Sequence, residues 1–497
     1  MRSTKVIRWL QTSWQRYRHI LNQTLFYGAS VALMKGISLF MLPFIAHQLT
    51  PAEFGRLETL TTLAILCSII FAAGLEDTLY KHVGFASSPA AKRQQAANIY
   101  GLSCALVALV LVSIPWLSQL AKHGLPGELA LLDIQLILLQ VALEACIAVP
   151  LGWLRLTDKA GLFFGFAVGR ALLQAVLTLV LLHTIGGIRS ILLAGLIAAA
   201  CQAIGLAYYQ LKSSGIRLNL NLVKPVLIYA LPVIASGLVN FPLAGLDRWL
   251  IAAYGDEATL AQVAIAAKFA LAGVLLLQPF TMWWSPKRFT VLADVNGQQN
   301  ALKFQLLGLI LLSAICITVA FVAPLLIAWL LPPQYHSAVT VLPFLLSVVF
   351  FKEACELVNI GCFSGQHTHT QFKINACTAL FCAALMWLSC YLSQWLAPNH
   401  PQWLVMAVLS SLMLGQFARL ALFYYFSQQA LPLNYPIKWL VLAGVFTILA
   451  LFSAAFWVSV KSVLVYLGLG FILSLCLSFA WQQSRASMQP TRAQHDA

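Results

Sequence analysis

Residues 27–60 read YGASVALMKGISLFMLPFIAHQLTPAEFGRLETL. The apolar part is long enough to cross a membrane as a helix, contains one charged side chain, Lys35, and ends in the motif LTPAEFG. Thr50 and Glu53 have the spacing of a helix capping box. Pro51 falls at the first helical position, where its missing N–H costs no hydrogen bond. The stretch therefore predicts two apolar helices joined by a sharp turn.

The composition extends this prediction to the whole chain. Of 497 residues, 61% are hydrophobic and 9% are charged, whereas soluble domains carry about 25% charged residues. Such a chain has too few polar side chains to cover the surface of soluble domains. We therefore predict an all-α integral membrane protein, because apolar runs this long without alternation exclude a lipid-facing β-barrel.

A membrane-spanning helix needs about 20 mostly apolar residues. About fourteen segments meet this requirement. They lie at approximately 24–48, 57–80, 95–118, 129–152, 160–183, 188–210, 226–252, 258–283, 301–328, 339–363, 371–395, 402–427, 436–459 and 462–482.

The basic residues indicate the orientation of these helices. The chain has 30 Lys and Arg. With the N-terminus inside, about twenty of them lie in cytoplasmic segments, about four lie on the opposite side and the remaining six lie within helices. This bias predicts that both termini are cytoplasmic. It also accounts for the net charge of +15 without nucleic acid as a partner, because the basic residues form no stripe with interleaved aromatics.

The 11 cysteines lie in or beside apolar segments and form no C-x-x-C pair. That pattern predicts neither a disulfide framework nor a metal site. The motif G-x-x-x-x-G-K-[ST] is absent from the sequence, so no ATP bound in a P-loop, and no other cofactor, is expected.

A weak internal repeat divides the chain. Residues 229–263, YALPVIASGLVNFPLAGLDRWLIAAYGDEATLAQV, are similar to the opening stretch, with Tyr229 opposite Tyr27 and Glu257 opposite Glu53. The repeat predicts two pseudo-symmetric six-helix lobes followed by two extra helices. The predicted divisions are a basic N-terminal segment 1–23, an N-lobe 24–215, a C-lobe 224–430, helices thirteen and fourteen at 436–482, and a cytoplasmic tail 483–497.

Four stretches resemble one family. They are residues 39–60, the following AAGLEDTLYKH (72–82), YALPVIASGLVNFPLAGLDRWLIAAYG (229–255) and YHSAVTVLPFLLSVVFFKEACELVNIGCFSGQHT (335–368). In this order they are similar to Wzx-type polysaccharide flippases of the multidrug/oligosaccharidyl-lipid/polysaccharide exporter superfamily. Ala261 departs from the glycine that is more usual there.

The resemblance implies two lobes enclosing a central cavity that opens alternately to either side of a bacterial inner membrane. It implies undecaprenyl-diphosphate-linked oligosaccharide as the substrate, on the route to O-antigen or exopolysaccharide. Membrane lipids are implied as surroundings, and polysaccharide polymerase and chain-length proteins as partners.

Charges within the predicted helices point to the candidate site. Each Lys or Arg at mid-bilayer costs about 2.5–3.5 kcal/mol. An interior cavity, acidic partners or snorkelling would reduce that cost, and a cationic cavity would bind a diphosphate. The candidate substrate-binding residues are Lys35, Arg170, Arg248, Lys268, Lys352 and Arg419. The candidate ion-coupling residues are the acids Asp247, Glu353, Glu356 and Glu144.

The spacing of these charges predicts some of their partners. Lys352 and Glu356 are four residues apart, which favours an ion pair on one helix face. Asp247 and Arg248 are adjacent and point about 100° apart, so each requires its own partner. Four cations have no acid nearby in sequence: Lys35, Arg170, Lys268 and Arg419. Seven amides are candidates for sugar hydroxyls or for helix–helix hydrogen bonds: Gln23, Gln140, Gln174, Asn240, Gln278, Asn359 and Gln416.

Three functions are compatible with these features. A flippase for lipid-linked glycans, driven by an ion gradient or the membrane potential, agrees with the excess of cations over acids at depth. A drug/cation antiporter of the same superfamily would require a net acidic cavity. A membrane polysaccharide polymerase or ligase would carry a sizeable periplasmic loop with catalytic residues, whereas the outward loops here are short. The sequence therefore predicts a flippase and not an enzyme.

Overall fold

The computed structural model describes residues 26–71, 74–293, 296–364, 368–396 and 400–456. Within these ranges the chain is α-helical with short 3₁₀ turns and contains no β-strand. Thirteen helices in the described part are long and apolar enough to cross a membrane, and each overlaps one of the first thirteen predicted segments. The all-α membrane fold is thereby confirmed. The basic segment 1–23, the fourteenth predicted helix and the tail 483–497 lie outside the described residues.

The chain divides into two compact units. Unit 1 comprises the residues up to Leu49 and Thr59–Leu238, and unit 2 comprises Thr50–Glu58 and the residues from Val239 onward. Helix α2 is a continuous helix, so its first two turns belong to unit 2 and its remainder belongs to unit 1.

Unit 1 contains the following helices: α1 (Phe26–Gln48), most of α2 (Pro51–Phe71), α3 (Leu75–Gly84), α4 (Pro89–Gly124), α5 (Leu131–Leu156), α6 (Ala160–Thr184), α7 (Gly187–Ser213) and nearly all of α8 (Val223–Asn240). Helix α5 lies at its centre and contacts α3, α4, α6 and α7. Tyr100 and Trp153 are buried where α4 and α5 pack on α3. Leu154 and Leu206 are buried where α5 packs on α7. These apolar faces fix the helices around α5.

Unit 2 contains the helices α9 (Leu246–Tyr254), α10 (Glu257–Leu292), α11 (Gly297–Leu330), α12 (Ala338–Val358), α13 (Ile360–Ser364), α14 (Thr368–Leu396), α15 (Pro401–Ala430) and α16 (Ile437–Phe456). Helix α12 contacts α10, α11, α15 and α16, so it forms the centre of the unit. The short helix α9 contacts α10, α14 and α15.

The predicted capping box at the start of α2 is confirmed. The Thr50 N–H donates to Glu53 Oε2 at 2.9 Å, and the Glu53 N–H donates to Thr50 Oγ1 at 3.3 Å. Helix α10 begins with a simpler cap, in which the Thr259 N–H donates to Asp256 Oδ1 at 2.5 Å. Each cap satisfies backbone N–H groups that have no partner within the helix.

The seventh predicted helix, 226–252, is not a single helix, and the prediction is wrong in this respect. Helix α8 ends at Asn240, a 3₁₀ turn covers Phe241–Leu243, and α9 begins at Leu246. Pro242 has no N–H to continue the α-helical hydrogen bonds, and Gly245 leaves the helical conformation before α9. The break places Asp247 and Arg248 in the first turn of a new helix.

Candidate functional site

Unit 2 contains a cavity of about 450 Å³. Its walls come from the break between α8 and α9 and from α9, α10, α12 and α15, and Glu58 of α2 completes it. Four cations line this cavity: Arg248, Lys268, Lys352 and Arg419. Two carboxylates, Glu58 and Asp247, also line it, so its ionised side chains give an excess of positive charge.

Glu58 is the shared counterion of two of these cations. Its Oε1 lies 2.8 Å from Arg248 Nε, and its Oε2 lies 3.7 Å from Lys268 Nζ. The Glu58 and Arg248 side chains are 11% and 19% exposed, whereas that of Lys268 is 37% exposed. One carboxylate therefore faces two positive charges in a largely buried position, where ion pairs are screened less than at the surface.

The first turns of α2 hold Glu58 in this place. Arg56 Nε lies 2.7 Å from Glu257 Oε2 at the start of α10. A Cβ at Gly55 would lie 1.9 Å from the Glu257 carbonyl oxygen, so only glycine permits the two backbones to approach this closely. The Phe54 ring packs edge-on against Tyr335, with ring centroids 5.9 Å apart. These contacts make the start of α2 a fixed wall of unit 2.

Arg419, on α15, has a tertiary partner as well. Its Nη2 lies 3.3 Å from Glu356 Oε1 of α12, and its Nε donates to Asn375 Oδ1 of α14 at 2.9 Å. The second oxygen of Glu356 accepts from Asn359 Nδ2 at 3.0 Å. The Arg419 guanidinium thus bridges α12 and α14 at the cavity wall.

The predicted pair between Lys352 and Glu356 is wrong. Glu356 is bound to Arg419 and Asn359, while Lys352 Nζ lies 3.8 Å from Glu353 Oε1. A planar guanidinium from another helix gives Glu356 a directed partner that a flexible lysine does not match. The Lys352 side chain is 50% exposed, so its ammonium stays accessible at the cavity.

The two adjacent charges of α9 both line the cavity, and a carboxylate partner on another helix is seen for Arg248. The Arg248 side chain reaches Glu58, and its Nη1 also donates to the Ala244 carbonyl oxygen at 3.0 Å. Asp247 is 3% exposed and sits in the first turn of α9, where the helix dipole favours a negative charge. Two of the predicted amides, Asn240 and Gln416, line the same cavity.

The two candidate cations of unit 1 stand apart from this lining. Arg170 Nη2 lies 2.9 Å from Glu144 Oε1, and its Nη1 donates to Gln202 Oε1 at 3.2 Å. Lys35 is half-buried on α1 and has no carboxylate within 4.0 Å among the described residues. A binding role for Lys35 and Arg170 stays a prediction.

Remote acids thus provide partners that local spacing does not reveal. Arg170, Lys268 and Arg419, which have no acid nearby in sequence, are paired with Glu144, Glu58 and Glu356. Glu58 is the residue that the sequence reasoning missed. It lies inside the predicted span 57–80 but only one residue from its start, where an acid is expected to be solvated. Its two partners lie far away in the sequence, so no local spacing identifies them.

Comparison with known proteins places the fold. A family profile described as polysaccharide biosynthesis protein matches residues 20–286, more than half of the chain. Among solved structures, the chain is similar to the lipid II flippase MurJ in an inward closed conformation. The identity is 14% and the TM-score 0.65, over 93% of this chain and 99% of that chain.

Two further solved structures share the fold. One is an inward-facing multidrug resistance MATE family transporter of the MOP superfamily, at 15% identity and a TM-score of 0.59, over 82% of this chain and 94% of that one. The other is a MOP superfamily transporter from Pyrococcus furiosus, at 15% identity and a TM-score of 0.52, over 81% and 94%. The comparison with curated proteins found no match to this chain. The chain belongs to the polysaccharide biosynthesis protein family and has the fold of the MOP transporter and flippase superfamily.

Proposed function

We propose that this protein is a flippase that moves undecaprenyl-diphosphate-linked oligosaccharide from the cytoplasmic to the periplasmic leaflet of a bacterial inner membrane. The observation that carries the proposal is the cavity of unit 2, lined by four cations and two carboxylates. Fixed arginines bind phosphate oxygens in bidentate fashion, and lysines act as mobile point charges, so the lining suits a diphosphate.

The size of the cavity agrees with a headgroup as the bound part. Its volume of about 450 Å³ lies within the range of sites for small molecules, about 300–1,000 Å³. The diphosphate would contact Arg248, Lys268, Lys352 and Arg419, and the first sugar would reach Asn240 and Gln416. Lys35 and Arg170 of unit 1 remain proposed substrate-binding residues. The glycan carried to the periplasm is proposed to serve polysaccharide polymerase and chain-length proteins.

Coupling to an ion gradient or to the membrane potential is part of the proposal. Of the four candidate acids, Asp247 has the position that suits ion coupling, because it is buried and lines the cavity. Glu144 and Glu356 are each committed to an arginine, and Glu353 lies beside Lys352. Protonation of any of these three would therefore cost an ion pair.

Reconstituted protein tests the proposal. Proteoliposomes carrying a fluorescent undecaprenyl-diphosphate oligosaccharide on the inner leaflet would report translocation as access of an external lectin to the glycan. We expect the wild type to expose the glycan and the double variant Arg248→Gln/Lys268→Gln to fail. Arg189→Gln removes a positive charge from an ion pair of unit 1 and serves as the control for the loss of positive charge.

A drug/cation antiporter is the competing function, and it is supported by the same two carboxylates, Glu58 and Asp247. Efflux of a cationic dye from the same proteoliposomes discriminates between the two. Dye efflux that requires Asp247, with no exposure of the glycan, would replace the flippase proposal with the antiporter.

A further inference from the structure

The cavity of unit 2 already contains an anion that belongs to the protein. The Glu58 carboxylate occupies the space between Arg248 and Lys268, at 2.8 and 3.7 Å from their nitrogens. A carboxylate and a phosphate oxygen bind arginine and lysine through the same charge-assisted hydrogen bonds. Any phosphate that uses these two cations must therefore compete with Glu58.

In the other ion pairs of the described residues, each carboxylate is paired with one cation. Arg170 is matched by Glu144, and Arg419 is matched by Glu356. Glu58 alone serves two cations among these pairs, and both of those cations line the cavity. Displacement of one carboxylate therefore exposes two adjacent positive charges, which is the arrangement that a diphosphate requires.

We propose that Glu58 is a built-in occupant of the Arg248–Lys268 site, which the phosphate of the substrate displaces on binding. This inference rests on the proposed function, because it assumes an anionic substrate in the cavity. While Glu58 is in place, it compensates positive charge of Arg248 and Lys268 within the membrane protein. It also lowers the apparent affinity for phosphate, because only the fraction of protein with Glu58 withdrawn can bind.

Displacement has a consequence for α2. Glu58 is the last residue of the part of α2 that belongs to unit 2. When its two cations bind phosphate instead, the remaining anchors of this part are the Arg56–Glu257 pair and the packing of Phe54 on Tyr335. Substrate binding is thus expected to loosen the first turns of α2, whereas a ligand that merely filled a cavity would rigidify its walls.

Titration with inorganic pyrophosphate tests the inference. The protein is held in nanodiscs, and binding is measured by calorimetry for the wild type, Glu58→Gln and Glu58→Asp. If the site is free of Glu58 about one tenth of the time, Glu58→Gln binds pyrophosphate about tenfold more tightly than the wild type. Glu58→Asp keeps the charge but withdraws it by one methylene, so its affinity falls between the two.

Asp133→Asn is the matched control. Asp133 is 13% exposed and is paired with Arg189 at 3.0 Å in unit 1, so the variant makes the same change of charge at similar burial outside the cavity. Its pyrophosphate affinity is expected to equal that of the wild type. If Asp133→Asn gained as much affinity for pyrophosphate as Glu58→Gln, the gain would be a general effect of net charge, and the inference would be overturned.

Hydrogen exchange provides a second, independent measurement. Pyrophosphate is expected to increase amide exchange in residues 50–58 of the wild type and to leave it unchanged in Glu58→Gln, where the carboxylate is already absent. Increased protection of these residues in the wild type would overturn the inference.

The outcomes separate the two proposals. If the wild type binds pyrophosphate through Arg248, but Glu58→Gln and Glu58→Asp bind it equally well or more weakly, Glu58 positions the cations and the displacement is disproved, while the flippase proposal stands. If neither the wild type nor the Glu58 variants bind pyrophosphate, the anionic substrate itself is excluded. Thermal unfolding shows whether each variant folds. If Glu58→Gln does not fold, the pyrophosphate affinity of Glu58→Asp relative to the wild type decides whether Glu58 is displaced.

Discussion

Arg170 in unit 1 and Arg248 in unit 2 are both held by a carboxylate from another helix, at 2.9 and 2.8 Å. Their surroundings differ in charge balance. Arg170 has Glu144 to itself and donates a further hydrogen bond to Gln202, whereas Arg248 shares Glu58 with Lys268. The first arrangement neutralises one charge with one partner, and the second leaves a surplus of positive charge.

The difference extends to the space beside each pair. Arg248 and Lys268 line a cavity of about 450 Å³ together with two more cations, and Arg170 is not part of that lining. Charge alone therefore does not distinguish the two arginines, whereas the counterion and the adjacent cavity do. We expect these two features to decide how far each charge is available to a ligand, and four experiments examine the two surroundings.

The largest effect is expected at Arg248, which shares the Glu58 carboxylate with Lys268. Arg248→Gln removes a proposed phosphate donor and leaves Glu58 with Lys268 only, so pyrophosphate binding should lose about 2–5 kcal/mol. Calorimetry in nanodiscs measures this loss, and Arg248→Lys, which keeps the charge but not the planar fork, should recover part of it. Arg189→Gln is the control, because Arg189 is paired with Asp133 in unit 1. Wild-type affinity in Arg248→Gln would contradict the assigned role.

The next effect concerns the wall that carries Glu58. Gly55→Ala places a methyl group against the Glu257 backbone, where no flexible side chain can yield. We expect Gly55→Ala to lower the free energy of unfolding by about 1–3 kcal/mol, the range for overpacking. Thermal unfolding in detergent measures this loss. Gly36→Ala is the matched control, because a Cβ at Gly36 of α1 meets no atom within 4 Å. Equal stability of the two variants would disprove the close approach of α2 and α10.

The one-to-one pair of unit 1 should contribute to the stability of the fold. Arg170→Gln leaves Glu144 without its cation and should cost about 1–3 kcal/mol of stability. The double variant Arg170→Gln/Glu144→Gln should regain most of this loss, because both charges are removed together. The corresponding double variant of Arg248 and Glu58 should instead leave Lys268 uncompensated. A double-mutant cycle on unfolding measures both couplings, and equal coupling energies would remove the distinction between the two units.

The smallest effect is expected at the helix caps. Thr50→Ala removes half of the reciprocal capping box at the start of α2 and should cost about 1 kcal/mol. Ser88, at the start of α4, accepts a single hydrogen bond from the Ala91 N–H at 3.1 Å, so Ser88→Ala should cost less. Thermal unfolding compares the two, and a larger loss in Ser88→Ala would show that the capping box does not hold the start of α2.

Much of the fold could be predicted because it depends on local properties of the chain. The length of an apolar run and the signal of a capping motif are contained in consecutive residues. Apart from the seventh, the predicted spans within the described residues overlap the helices of the structure, and the cap at Thr50 is present. The break between α8 and α9 was missed although Pro242 and Gly245 mark it. Hydropathy alone does not detect this break, because neither Pro242 nor Gly245 carries a polar side chain that would interrupt the apolar run.

The sequence by itself therefore determined the class of the protein, the positions of its helices and the identity of the intramembrane cations. The tertiary structure decided which carboxylate each cation meets. Glu58 reaches Arg248 and Lys268 across about 190 and 210 residues of chain, and Glu356 binds Arg419 in preference to Lys352. Ion pairs across helices depend on packing between distant segments, and no pattern of neighbouring residues specifies that packing.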